Sequence, residues 1–140
     1  MSTLVKILIM LAIKAAFFGM QNVTSHDITV NISGLESNDG KILIGLYDEE
    51  NKFLKDRFKD AIGEIDQEKS TITFTDIPEG TYAISFIHDE NDNGKMDTNF
   101  MGIPKEDYGC SNNAKGFMGP PKWKDAKFEL KSDKTIDITL

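Results

Sequence analysis

Residues 80–89 read Gly80-Thr81-Tyr82-Ala83-Ile84-Ser85-Phe86-Ile87-His88-Asp89, and their alternation decides the fold. Tyr82, Ile84 and Phe86 share one face of an extended chain, and His88 falls on the same side by parity. Ala83, Ser85 and Ile87 face the other way. Aromatic and β-branched side chains at a period of two mark a strand.

The same period recurs on both sides of this stretch. Ile28, Val30 and Ile32 alternate with Thr29, Asn31 and Ser33, then Gly34 ends the run. Asn38-Asp39-Gly40 reads as a hairpin-type turn. Ile42, Ile44 and Leu46 alternate with Leu43, Gly45 and Tyr47. Ile72 and Phe74 alternate with threonines before the Asp76-Ile77-Pro78-Glu79-Gly80 turn. Ala126, Phe128 and Leu130 form one face, and Ile136, Ile138 and Leu140 another, with Lys131 to Asp133 turning between them. Phe53, Leu54 and Phe58 stand at near-helical spacing among charged residues, which predicts a short helix or helical turn within 49–60. Short strands at regular spacing with little helix predict an all-β antiparallel sandwich, immunoglobulin-like or transthyretin-like. No internal repeat is expected.

Residues 98–122 show neither strand nor helix period, longer than most structureless loops in compact domains. Phe100, Met101, Ile103, Tyr108, Phe117, Met118 and the nearby Trp123 are too apolar for a solvated linker. The expectation is a long ordered loop, packed by its own side chains across one end of the sandwich.

Length and composition fit that plan. Of the 140 residues, the first 25 read as a signal peptide: Lys6, an apolar run from Ile7 to Ile13, and a small residue at Ser25 for cleavage. The run is interrupted by Lys14 and is too short for a permanent anchor, for which about 20 apolar residues are needed. Residues 26–140 then form a single domain, periplasmic or secreted, with no transmembrane anchor after cleavage. The net charge of −7 argues against nucleic acid and anionic membrane surfaces as partners. The leader contains two lysines and no acid, so its loss leaves the domain more acidic still. One cysteine, Cys110, excludes an internal disulfide and reads as a small buried apolar group.

The chemistry concentrates where the strand of residues 80–89 ends. Asp89, Asn91 and Asn93 occupy positions one, three and five of a calcium-type loop, Gly94 position six, Lys95 position seven through its carbonyl, and Asp97 position nine. Phe100 stands where a bidentate glutamate closes the helix-loop-helix motif, so that motif is absent. Asp107, Asn112 and Asn113 are the candidate supporting ligands. With few formal charges, calcium affinity is expected at about 10⁻⁴–10⁻³ M. A metal-free, Asx-rich turn fits the same residues equally well. Glu90 and Asp92 are expected to point away.

His88 fits a transition-metal ligand or a general base beside Asp89. The favoured reading is a strand-end histidine whose ring bonds a loop carbonyl and positions the long loop. No nucleophilic triad or phosphate loop has supporting spacing, so no catalytic residue is assigned. Trp123, after Gly119-Pro120-Pro121-Lys122, fits a stacking platform for sugar but better a packed aromatic. His88, Asn99, Tyr108 and Trp123 are the candidate binding surface, for a protein or carbohydrate of the cell envelope.

Residues 80–104, then Tyr108-Gly109-Cys110-Ser111-Asn112-Asn113 and Gly119-Pro120-Pro121-Lys122-Trp123, resemble the exported bacterial family called domain of unknown function 2141 (DUF2141). The resemblance implies a secreted or periplasmic β-sandwich and no established activity. It departs at Cys110, where the family commonly carries an aromatic or other apolar residue. The turn at 77–82 is also similar to transthyretin-like and collagen-adhesin sandwiches, a likeness of fold only. Three functions fit: a non-enzymatic module whose calcium loop orders a partner surface, an envelope enzyme using His88 with nearby carboxylates, and a purely structural domain.

Overall fold

A computed structural model describes residues 22–140. The apolar run of the expected signal peptide lies outside the described residues. The described residues form eight strands: β1 (Ser25–Ser33), β2 (Lys41–Tyr47), β3 (Lys59–Gly63), β4 (Lys69–Pro78), β5 (Gly80–Asp89), β6 (Tyr108–Cys110), β7 (Phe128–Leu130) and β8 (Lys134–Thr139). No helix among the described residues is long and apolar enough to cross a membrane.

Two sheets face each other. One has the order β4-β1-β8, and the other runs β3-β2-β5-β6 with β7 also on β5. β6 and β7 both pair antiparallel with β5, opposite Ser85–Ile87 and Gly80–Tyr82. The inward faces are those the alternation marks. Ile28, Val30 and Ile32 meet Ile42, Ile44, Leu46, Ile84 and Phe86, with Ile72, Phe74, Leu130 and Ile138 closing the core. Burial of this apolar surface is the main force holding the sheets together.

The expected all-β sandwich is present, with differences in pairing. The Asn38-Asp39-Gly40 turn closes no hairpin, because β1 and β2 belong to opposite sheets. β1 and β8 pair in parallel, Ile28 opposite Lys134 through Ser33 opposite Thr139. A period of two reports which face a side chain occupies, not which strand lies alongside.

The helix expected in 49–60 shrinks to one 3₁₀ turn, Glu50–Lys52, and Lys59 and Asp60 begin β3. Phe53 nevertheless packs inward, edge-on to Tyr47 at 5.3 Å and to Trp123 at 5.8 Å. With Ala83, Cys110 and Ala126 they form a second cluster. Trp123 opens a single helical turn, α1 (Trp123–Ala126).

The expectation that residues 98–122 pack on their own apolar groups is not met. Phe100, Met101, Ile103, Phe117 and Met118 are all exposed. The segment is ordered instead by hydrogen bonds, by β6, and by a 3₁₀ turn at Ser111–Asn113. Buried Ser111 accepts the Ile84 N–H at 2.9 Å and donates to the Ala126 carbonyl at 2.5 Å. It thus joins β5 to α1 through the middle of the loop.

Candidate functional site

β5 sits between β2 and the β6/β7 pair, and its last residue, Asp89, is fully buried. The turn before β2 presses on it. A Cβ added to Gly40, whose φ is +70°, would lie 1.9 Å from the Asp89 carbonyl oxygen. Only glycine combines that approach with that backbone. The Asp89 carboxylate folds the following residues into a ring: one oxygen accepts the Asn93 N–H at 3.1 Å, the other the Gly94 N–H at 2.8 Å. Asp92 (φ 56°) and Gly94 (φ 81°) take the left-handed conformations that the curvature requires.

A second tier rests on this ring. Asn91 Oδ1 accepts the Asn93 N–H at 3.3 Å, and Asn93 Oδ1 accepts the Lys95 N–H at 3.1 Å. The side-chain amides of Asn91 and Asn93 donate to the two oxygens of Asp97, at 2.5 and 2.7 Å. Donation by Asn93, assisted by Asn91, holds the Asp97 carboxyl below its ordinary pKa. Asp89, Asn91, Asn93 and Asp97 are therefore brought together in one hydrogen-bonded loop, and Lys95 enters by its N–H rather than by the expected carbonyl. Glu90 and Asp92 turn outward. Asp92 pairs with Lys41, which raises the lysine pKa.

Glu106 was not among the sequence candidates. Its Oε2 accepts the Asp97 N–H at 3.0 Å. The residue is buried, and its Oε1 has no hydrogen-bond partner among the described residues. No period or motif marks a lone glutamate nine positions after Asp97, so only the folded chain reveals it. As they stand, no three His, Cys, Asp or Glu side chains among the described residues form a ready metal cage. The amides of Asn91 and Asn93 hold Asp97 with N–H groups. Half a turn of each amide would present oxygen instead. The chemistry of the set is that of a hard, oxygen-seeking cation.

Other expected members lie elsewhere. Asn112 donates to the carbonyls of Asp125 and Lys127, and Asn113 accepts the Thr139 N–H. Both brace the fold, at positive φ, and neither contributes a side-chain contact to the loop. Asp107 offers its carbonyl to the His88 N–H at 2.8 Å.

His88 is a correction to the binding-surface set, because it is fully buried. Its Nε2 lies 2.8 Å from the Asp39 carbonyl and, facing a pure acceptor, carries the proton. The ring thus ties the β1–β2 turn to β5, and the long loop is met at Asp107 by the His88 backbone N–H rather than by the ring. Enclosed there, it meets no solute unless that turn opens. Trp123 is half-buried, edge-on to Phe53, and lines an open cleft with Leu54, Pro120 and Pro121. Asn99 orders the turn that follows it, and Tyr108 lies at the margin of the sheet, part-exposed. Burial pushes the Cys110 thiol pKa up, in keeping with its apolar role.

A family model described as "Uncharacterized protein conserved in bacteria (DUF2141)" matches residues 30–138, which span both sheets and the whole loop. No curated protein and no solved structure matches the chain.

Proposed function

The chain belongs to the DUF2141 family, and on that premise we propose that it is an exported, non-enzymatic β-sandwich module with a low-affinity calcium loop. Asp89, Asn91, Asn93, the Lys95 carbonyl, Asp97 and Glu106 hold the ion. Uptake fixes the root of residues 98–122, which form the surface for a partner in the cell envelope. The apolar run behind Lys6 supports export.

The observation that carries the calcium reading is Glu106. A buried carboxylate oxygen with no donor is costly, and a divalent cation offsets that cost. Its neighbour Asp97 is a carboxylate already held in the charged form by side-chain donors. The enzyme reading loses support from the enclosure of His88.

Thermal unfolding in chelator, calcium and magnesium tests the proposal. Binding to the folded state alone adds about 1.4 kcal/mol of stability at ten times Kd. The midpoint is expected to rise with millimolar calcium, to stay unchanged with magnesium, and to lose its response in Asp89→Ala and Glu106→Gln. A flat midpoint at several millimolar calcium, with the wild-type chain folded, sinks the calcium reading and leaves an Asx-rich structural turn.

A further inference from the structure

Two exposed tips of the long loop carry one pattern. Residues 100–105 read Phe-Met-Gly-Ile-Pro-Lys and residues 117–122 read Phe-Met-Gly-Pro-Pro-Lys. The expectation of no internal repeat is thereby corrected. Phe100 and Met101 are 96% and 66% exposed, Phe117 and Met118 91% and 94%, and Ile103 adds to the first tip. Single exposed apolar residues are ordinary, but paired ones at two tips that match at five of six positions are not.

Their exposure is built in. In the first tip Asn99 Oδ1 accepts the N–H groups of Met101 and Ile103, at 2.9 and 3.0 Å. The Asn99 N–H donates to the Ile103 carbonyl at 2.9 Å, and Thr98 bridges to Pro104. In the second, Gly116 passes so close to Gly119 that a Cβ would lie 1.7 Å from the Gly119 carbonyl oxygen. Met118 takes a φ of 53°. The roots of the two tips adjoin. Asp107 and Tyr108, just after the first tip, line the same cleft as Lys115 and Gly116, which lead into the second.

Charge separates this segment from the rest of the molecule. Residues 98–124 hold four lysines against two acids, one of them the buried Glu106, within a chain of net charge −7. Among the described residues Lys105, Lys115, Lys122 and Lys124 make no ion pair. We infer that the two tips dock on a lipid bilayer bearing anionic headgroups. Phe and Met enter the interfacial layer, and the lysine following each tip reaches headgroup phosphate. A fluid surface admits two separate protrusions, whereas a folded partner would need a pocket for each. The acidic remainder is repelled by the same surface and orients the molecule tips first. This deepens the proposed function by naming the partner, and it rests on the tips rather than on calcium.

Co-sedimentation of the whole protein with vesicles tests it. Mixed phosphatidylcholine/phosphatidylglycerol vesicles are compared with phosphatidylcholine alone, each in chelator and in millimolar calcium. Wild type is expected to bind the anionic vesicles in chelator, so the tips stand or fall separately from the calcium loop. Phe100→Ser with Phe117→Ser should lower binding about tenfold or more, because both lost groups leave water only in the bound state. The unfolding midpoint should not move, since both rings are already in solvent. Lys105→Gln with Lys122→Gln should weaken binding to anionic vesicles only. Absence of vesicle binding in both media, equal binding to neutral vesicles, or binding undiminished by the double Phe substitution overturns the proposal. So does a Phe-dependent dimer without vesicle binding, which would assign the tips to a second copy of the chain.

Discussion

Asp97 anchors the loop by accepting hydrogen bonds from Asn93 and Asn91, and those donors set its response to acid. Its folded pKa lies below the ordinary 3.8. A depressed folded pKa means that this contribution is complete above 3.8 and is lost as pH falls through the lower, folded value. The side-chain amide NMR signals of Asn91 and Asn93 should therefore hold from neutral pH down to that range and broaden only below it. Asp97→Asn should abolish the acid step; an unchanged step would place the titration elsewhere. Cys110 shifts in the opposite sense. Burial raises its thiol pKa, so at neutral pH the thiolate that reacts is scarce. A thiol reagent should label it only in denaturant, and rapid labelling of the native protein would contradict this placement. Ser111 is the residue-scale test of the loop's order. Ser111→Ala strips a buried partner from the Ile84 N–H and the Ala126 carbonyl and should cost about 1–3 kcal/mol in denaturant unfolding.

Among the elements, β1, β2, β4, β5 and β8 were legible because each carries an apolar face at a period of two over five or more residues. β3 and β6 were not. Ile62 of β3 is exposed and β6 is three residues long, so neither writes a face into the sequence. The alternate spacing of Asp89, Asn91, Asn93 and Asp97 marks residues that hydrogen-bond within one loop, since a loop that short leaves few other arrangements. Glu106 came from outside it, and Asn112 and Asn113 went to the fold, because contacts across a long loop have no sequence period to report them. The exposed Phe and Met residues misled for a related reason: apolar composition predicts burial only where a neighbour exists to cover it. The turn before β2 offers the sharpest test at this scale. Gly40→Ala meets the Asp89 carbonyl and demands a left-handed alanine, so it should destabilise by more than the ~1 kcal/mol typical of a point substitution. Because Asp89 is displaced, any calcium-dependent gain in midpoint should shrink as well. A variant with wild-type stability would show that the approach relaxes freely.

At the scale of the molecule, two sheets share one core, and Phe86 stands fully buried on β5. Phe86→Ala should cost about 3–5 kcal/mol, read by denaturant titration. That is a large part of the stability of an ordinary domain. A cost under about 1 kcal/mol would mean that the two sheets collapse onto the gap.

The parallel pairing of β1 with β8 reaches into how the protein is made. During translation β1 is completed when neither of its neighbours exists. β4 follows only after two strands of the opposite sheet, and β8 comes last of the eight. The oldest strand waits for the youngest. β1 therefore stays unpaired while β2 and β3 are made, and its long-range parallel pairing with β8 is of the slow-forming kind that leaves a folding chain open to whatever handles extended polypeptide.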